Sequence, residues 1–313
     1  MCLLTGLTYF KNKKCDFVIL EVGLGGKYDP TNIVNPIDSV ISKIGYDHEH
    51  ILGNTLEEIT NHKVGIIKLN SNTVFMKQED LINKIIIDTC NRLNNNLKLI
   101  DYNKCTDIEY NNIYQKFNYE IYKGIEINLK GVNQNRNALL AIETMEILNG
   151  LNIDIDEKAI REGLKTVIHQ GRFEVINKEP LMIYDGAHNE DALDNFINTV
   201  DKYYSKRKRV YVLLILKRKN YKKMLKKILK DKDAIFIFHD ERKQRINERF
   251  EYADCEEMYK MAKEINSDIE CYKMSLKESI SFIRDNYTDS VSFFIGSLYP
   301  YNNVIKYLKV KEL

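Results

Sequence analysis

Residues 181–193 read LMIYDGAHNEDAL. The apolar run Leu181–Tyr184 stops at Asp185, a short turn follows, and Asn189 stands just ahead of Glu190 and Asp191. A strand apolar on both faces belongs inside a parallel sheet, and an Asn before acidic residues is a helix start. The stretch therefore predicts strand, turn and helix. Three further runs repeat the first half of that pattern: RVYVLLILK from 209, AIFIFHD from 234 and SVSFFIGSLY from 290. Helical patterns over 190–206, 219–230, 255–266 and 275–287 separate them. This alternation predicts a compact α/β domain with a largely parallel sheet.

Upstream, the apolar run CDFVILEVGLGG (15–26) predicts a second buried parallel strand ending in a Gly-rich turn, and DSVISKIG (38–45) another. NTVFMK and NLKLIDY are weaker strand candidates, and the alternation in YEIYKGIEINLKG predicts antiparallel strands within 102–130. NALLAIETMEILNG and DEKAIREGLKTV predict helices. The first residues, MCLLTGLTYFKNKKCD, predict an amphipathic helix. They have neither the leading basic residue nor the cleavage site of a signal peptide, and the run is too short to span a bilayer. The rhythm changes after HQGRFEVI, which sets a domain boundary at 170/171.

The chain has 313 residues, a length suited to two domains. Its 47 basic and 45 acidic side chains leave a net charge of +2, which gives no basis for nucleic-acid binding. The six scattered cysteines, without a CxxC pair, predict reduced and mostly buried thiols in a cytoplasmic protein with no membrane association.

Four positions raise chemical questions. Glu21 follows an apolar run and would lie at a strand's C-terminal end, where open α/β sheets bind ligands; the alternative is a solvated loop acid. GLGG fails the dinucleotide template, whose third glycine position holds Tyr28. His48 lies in YDHEH, with Asp47, Glu49 and His50 beside it, either near a metal or in a solvated loop. Lys63 is the sharpest anomaly. In TLEEITNHKVGIIK (55–68), Thr55 and Glu58 form a capping-box pattern, and Leu56, Ile59, Ile66 and Ile67 mark an apolar stripe on which Lys63 also falls. A buried ammonium must find a carboxylate, snorkel to water, or be chemically altered, for instance by adding CO2 to become a carbamate. In the second half, His188 beside a helix start suits a phosphate, and Arg172 at the domain junction suits a phosphate clamp or a hinge salt bridge.

The blocks EVGLGGKYDPTNIV, ISKIGYDHEHILGNTLEEITNHKVGIIK, NQNRNALLA, QGRFEVI, YDGAHNEDAL and GSLY, in this order, resemble the folylpolyglutamate synthase/dihydrofolate synthase family of the Mur ligase superfamily. The resemblance implies a P-loop-type Mur ligase central domain over 1–170 and a Rossmann-like Mur ligase C-terminal domain over 171–313. It implies a cytoplasmic, ATP-dependent ligase that phosphorylates the carboxylate of a folate or dihydropteroate and joins L-glutamate to it. By position, Glu21 and His48 match the family's magnesium ligands, and Lys63 matches its carbamoylated lysine. Gln134 and Asn137 match the stretch near the nucleotide base. Arg172, Asp185 and His188 match residues reaching the ATP phosphates and ribose, and Lys63 and His188 the catalytic positions. ATP and Mg2+ are thus the expected cofactors.

The sequence departs from the family at Asn133, Gln170 and Val64, and in the basic turn KRKN ending at Asn220. No GxxxxGK[ST] occurs in the 313 residues. The expectation is therefore a central domain truncated ahead of its phosphate loop, with a sheet edge left exposed. The missing segment would come from an N-terminal fragment in trans or be absent through an incomplete gene model, with a monomer as the complete enzyme; the alternative is a non-catalytic remnant.

Overall fold

The computed structural model describes residues 2–111, 114–217, 220–240 and 251–309. Arg218 and Lys219, in the basic turn, lie outside the described residues. The chain divides into two compact units: 1–106 with 119–123 and 136–162, and 107–118 with 124–135 and 163–313.

The first unit holds a parallel sheet of three strands in the order Asp38–Ile41, Asn72–Met76, Asn96–Ile100, with Val40 opposite Val74 and Val74 opposite Lys98. Helices Leu56–Lys63 and Asp80–Arg92 pack on it. The core between them contains Ile41, Ile59, Val64, Ile67, Phe75, Ile82 and Ile86. Only the central strand has neighbours on both edges.

Asp38–Ile41 is hydrogen-bonded on one side only. This is where the strand expected at 15–26 fails. The helix Cys2–Lys13 buries none of its residues, and 17–22 forms no strand, with Ile19 95% exposed. An apolar run becomes a strand only when another strand's edge takes its N–H and C=O groups. Among the described residues none is placed to do so.

The helix after Thr55 is also shorter than its apolar stripe suggests. The capping box forms, with the Glu58 N–H donating to Thr55 Oγ1 at 3.2 Å and the Thr55 N–H to Glu58 Oε2 at 3.2 Å. The α-helix then stops at Lys63 and passes into a 3-10 turn, Val64–Ile66. Thr55→Ala removes the cap, and about 1 kcal/mol of stability should go with it, read as a lower urea midpoint.

The second unit is built on six strands in the order Cys271–Met274, Ile235–His239, Arg209–Leu213, Val291–Ile295, Leu181–Asp185, Glu174–Asn177. All neighbours are parallel except the last pair, which is antiparallel. The four predicted strands form its centre, and Cys271–Met274 and Glu174–Asn177 are additional edges. Helices Glu190–Tyr204, Tyr221–Ile228 and Cys255–Ile265 cover one face through Phe196, Met224, Leu225 and Met258, packed on Phe236, Phe238 and Phe293. Helices Leu276–Asn286 and Tyr301–Lys309 cover the other through Ile280, Ile283 and Val304, packed on Ile235, Ile237 and Phe294. Burial on both faces explains why the central strands read as unbroken apolar runs, each fully buried side chain contributing about 1.5–3 kcal/mol.

A third sheet holds Cys105–Tyr110, Gln115–Tyr119 and Tyr122–Ile127 in that order, and helices Gln134–Gly150 and Glu157–Thr166 follow. Gly150 ends the first of these inside the helix. Cys90, Cys105, Cys255 and Cys271 are buried free thiols, and Cys2 and Cys15 are exposed free thiols. No helix among the described residues is long and apolar enough to cross a membrane.

Candidate active site

In the first unit the candidate residues gather around the C-terminal end of Leu56–Lys63. The Gly-rich loop lies directly on that end: the Lys27 N–H donates to the His62 carbonyl at 2.8 Å, and Asn32 Nδ2 donates to the Gly65 carbonyl at 3.1 Å. A Cβ on Gly65 would stand 2.4 Å from the Lys27 Cα, so only glycine permits this approach. Asp29 ties the loop to itself, accepting from the Leu24 N–H at 2.9 Å, the Thr31 N–H at 2.9 Å and the Thr31 hydroxyl at 2.6 Å. The loop is thus a rigid wall beside Lys63.

Lys63 is the last helical residue, partly buried, with its pKa held below the ordinary lysine value. Desolvation is the larger cause; the negative charge of Asp47 opposes it. Of the three sequence alternatives, the structure shows a half-buried amine within the electrostatic reach of Asp47. His48 adjoins that carboxylate. It sits in the left-handed region at φ 51°, its N–H donating to Asp47 Oδ1 at 2.9 Å and its Nε2 standing 3.9 Å from Asp47 Oδ2. Glu21 lies apart from a strand end, exposed at the close of the unpaired segment. Asn137 is exposed on the helix Gln134–Gly150.

In the second unit, Gln134 is the first residue of that helix. The other three candidates cluster where Leu181–Asp185 ends. Asp185 Oδ2 accepts from the Phe173 N–H at 2.9 Å and Oδ1 from the Ala187 N–H at 2.8 Å. Desolvation raises its pKa to about 6, while the two amides and the charge of Arg172 pull the other way. His188 Nδ1 meets the Gly186 carbonyl at 2.8 Å, which selects the Nδ1–H tautomer and directs Nε2 outward. Asn189 caps the next helix, accepting from the Ala192 N–H at 2.8 Å. Arg172 is flanked by two left-handed residues, Gly171 at φ 68° and Phe173 at φ 47°. The second is a genuine outlier for a bulky residue, costing about 1–3 kcal/mol, and such strain concentrates at functional sites.

Two residues the sequence reading passed over belong here. Glu174 Oε2 accepts from the Gly171 N–H at 2.7 Å, and Tyr301 donates its hydroxyl to Glu174 Oε1 at 3.1 Å. Glu174 stood inside the QGRFEVI block, but its partner lies 127 residues away.

The Mur ligase middle domain family matches residues 3–145, and the Mur ligase glutamate ligase domain family matches residues 171–280. The dihydrofolate synthase/folylpolyglutamate synthase of Bacillus subtilis is 34% identical over 222 residues, covering 69% of this chain and 51% of that protein. The folylpolyglutamate synthase of Lacticaseibacillus casei is 29% identical over 209 residues, covering 64% of this chain and 48% of that protein. The chain therefore spans about half the length of these curated relatives. Among solved structures, the folylpolyglutamate synthase of Thermotoga maritima superposes with a TM-score of 0.76 at 26% identity, over 97% of this chain and 68% of that one. The folylpolyglutamate synthase of Mycobacterium tuberculosis, complexed with ADP and AMPPCP, shares the fold, with a TM-score of 0.81 at 21% identity over 97% of this chain and 71% of that one. The chain belongs to the Mur ligase family, carrying its middle domain and then its glutamate ligase domain, and is homologous to the folylpolyglutamate and dihydrofolate synthases.

Proposed function

We propose that this chain provides the metal-binding and glutamate-ligase parts of an ATP-dependent ligase that adds L-glutamate to a folate or dihydropteroate. Functional modules 1–170 and 171–313 divide that work in a cytoplasmic enzyme, monomeric where one polypeptide holds all its parts. The observation that carries the reading is Lys63: a half-buried lysine with a lowered pKa, held at a helix end against a Gly-rich loop.

A lowered pKa leaves more free amine, the form that adds CO2. Carbamoylation converts a misplaced cation into an anionic oxygen donor. Among the described residues no three His, Cys, Asp or Glu side chains form a metal-binding group. The resemblance to the folylpolyglutamate synthases assigns the cation to the carbamate of Lys63 together with Glu21, His48 and phosphate oxygens. That set suits Mg2+, which takes few protein ligands and shares the rest with phosphate. When bound, Mg2+ supplies charge neutralisation for phosphoryl transfer.

The chain's own groups do the remainder. Gln134 and Asn137 hold the base. Arg172 lays a planar guanidinium on phosphate oxygens, Asp185 accepts from ribose, and His188 presents Nε2 to the phosphates. The acyl phosphate, once formed, is attacked by the amino group of glutamate, releasing phosphate.

The phosphate loop is to be supplied by sequence outside these 313 residues, either continuous with them or as an N-terminal fragment in trans. The edge of Asp38–Ile41, unpaired among the described residues, and the exposed run at 17–19 favour completion by such a segment over a remnant without partners. ADP release dependent on both glutamate and a folate or dihydropteroate tests it. The chain alone should show none, and adding a GTNGKGS-type N-terminal fragment should produce it. Persistent inactivity with a fragment that binds the chain rules out the ligase reading.

A further inference from the structure

We infer that Glu174 and Tyr301 form a clamp that sets the direction of Arg172, making them positioning residues for the nucleotide; the inference rests on the reading of Arg172 as a phosphate-facing group.

Arg172 is suspended between two left-handed residues, and each of their N–H groups is held by a carboxylate. Asp185 takes the one at Phe173, and Glu174 takes the one at Gly171. The Gly171 carbonyl in turn accepts from the Gly186 N–H at 2.8 Å, so the turn is stitched to the end of the central strand Leu181–Asp185. Arg172's own backbone N–H donates to the His169 carbonyl at 3.2 Å. The guanidinium direction is therefore decided by its two neighbours.

Glu174 does not stand alone. Tyr301, at the start of the last helix, donates to its other oxygen, and the Tyr301 ring meets the Tyr184 ring edge-on at 5.2 Å and 84°. Tyr184 in turn donates to the Ser297 carbonyl at 2.5 Å. Leu298 closes the turn from above: a Cβ on Gly171 would lie 2.4 Å from its Cδ2. The GSLY stretch, which none of the proposed ligand contacts uses, thus acts on the Arg172 turn. Glu174 touches no ligand in this account. It works by keeping a strained turn in the one shape that aims Arg172.

The test is calorimetric titration of the 313-residue chain, saturated with the GTNGKGS-type N-terminal fragment, with magnesium AMPPCP. Glu174→Ala should weaken binding about tenfold and Tyr301→Phe about threefold, the effects of losing one held amide and one supporting hydroxyl. Glu174→Gln keeps an acceptor for the Gly171 N–H and should stay within about twofold of the original chain. In an Arg172→Ala background, Glu174→Ala should cause no further loss of binding, although it still speeds hydrogen exchange at Gly171 and Phe173. A tenfold loss that persists without Arg172 would show a general structural role and overturn the clamp. So would unchanged binding and unchanged exchange in Glu174→Ala. Nucleotide binding by the fragment-completed chain that is unchanged in Arg172→Ala would instead remove the phosphate-facing reading, and the clamp with it.

Discussion

Lys63→Ala is expected to reduce glutamate- and folate-dependent ADP release by the complete enzyme on the order of a thousandfold, the loss seen when one preorganised charge-stabilising group is removed. The fold should survive, because Lys63 is the terminal residue of its helix and alanine suits that position. Desolvation already works against the ammonium form, so the change also relieves a strained charge. Lys63→Arg separates the two chemistries available to this position. A guanidinium keeps the positive charge near Asp47 but cannot add CO2. If the functional form is the carbamate, the arginine variant is as inactive as the alanine variant, and depleting bicarbonate lowers the activity of the unaltered enzyme. Full activity in Lys63→Ala would show that Glu21, His48 and Lys63 do not form the metal centre.

Acidification provides the second large effect, in the second unit. His239 ends a central strand, only 1% exposed, with the Tyr252 ring edge-on at 4.9 Å; among the described residues its ring nitrogens make no well-formed hydrogen bond, and the Met274 backbone and the Asp240 charge lie close enough to favour its protonated form weakly. Burial lowers its pKa from 6.5 to about 4. The folded state thus holds it neutral while the unfolded chain protonates it near its ordinary value. Stability from this residue is fully present above the unfolded pKa and is lost as pH falls from about 6.5 towards about 4. The total is about 3 kcal/mol at 1.36 kcal/mol per pKa unit.

Asp185 works in the opposite direction. Its folded pKa, raised from 3.8 to about 6, makes the ionised form costly at neutral pH and relieves that cost on acidification. The two residues nearly cancel between pH 6 and 4 in the unaltered protein. His239→Phe should expose the imbalance: urea unfolding of the variant becomes more favourable to the folded state on acidification, while the original chain changes little. Parallel pH profiles for the two proteins would contradict the assignment. The variant also removes a buried imidazole that makes no well-formed hydrogen bond among the described residues, so its stability at pH 7 should rise by about 1–3 kcal/mol.

Much of the architecture is legible without coordinates where short-range rules suffice. LMIYDGAHNEDAL folds as strand, turn and capped helix because its burial pattern and its Asn189 cap are both local. Thr55 and Glu58 likewise need only three residues of chain to form their box. The two edge strands were missed for a physical reason. Glu174–Asn177 is only half buried, and Cys271–Met274 nearly so, which blunts the apolar signal that marked the central four. The site was legible as residue types and motif order, including the unusual Lys63, but not as contacts.

The sequence by itself determined which segments bury themselves, where helices start, and that a lysine stands where the pattern asks for an apolar residue. Periodicity and capping act over a few residues, so composition and order suffice. Only the tertiary structure decided the rest. Phe17–Val22 has every local mark of a strand yet remains exposed, since pairing needs an edge from elsewhere. The helix carrying Lys63 ends where the Gly65 turn meets Lys27, a contact across 38 positions that the helical stripe cannot foresee. Arg172 takes its direction from Glu174 and, through it, from Tyr301, because hydrogen bonds join groups that are close in space whatever their separation along the chain.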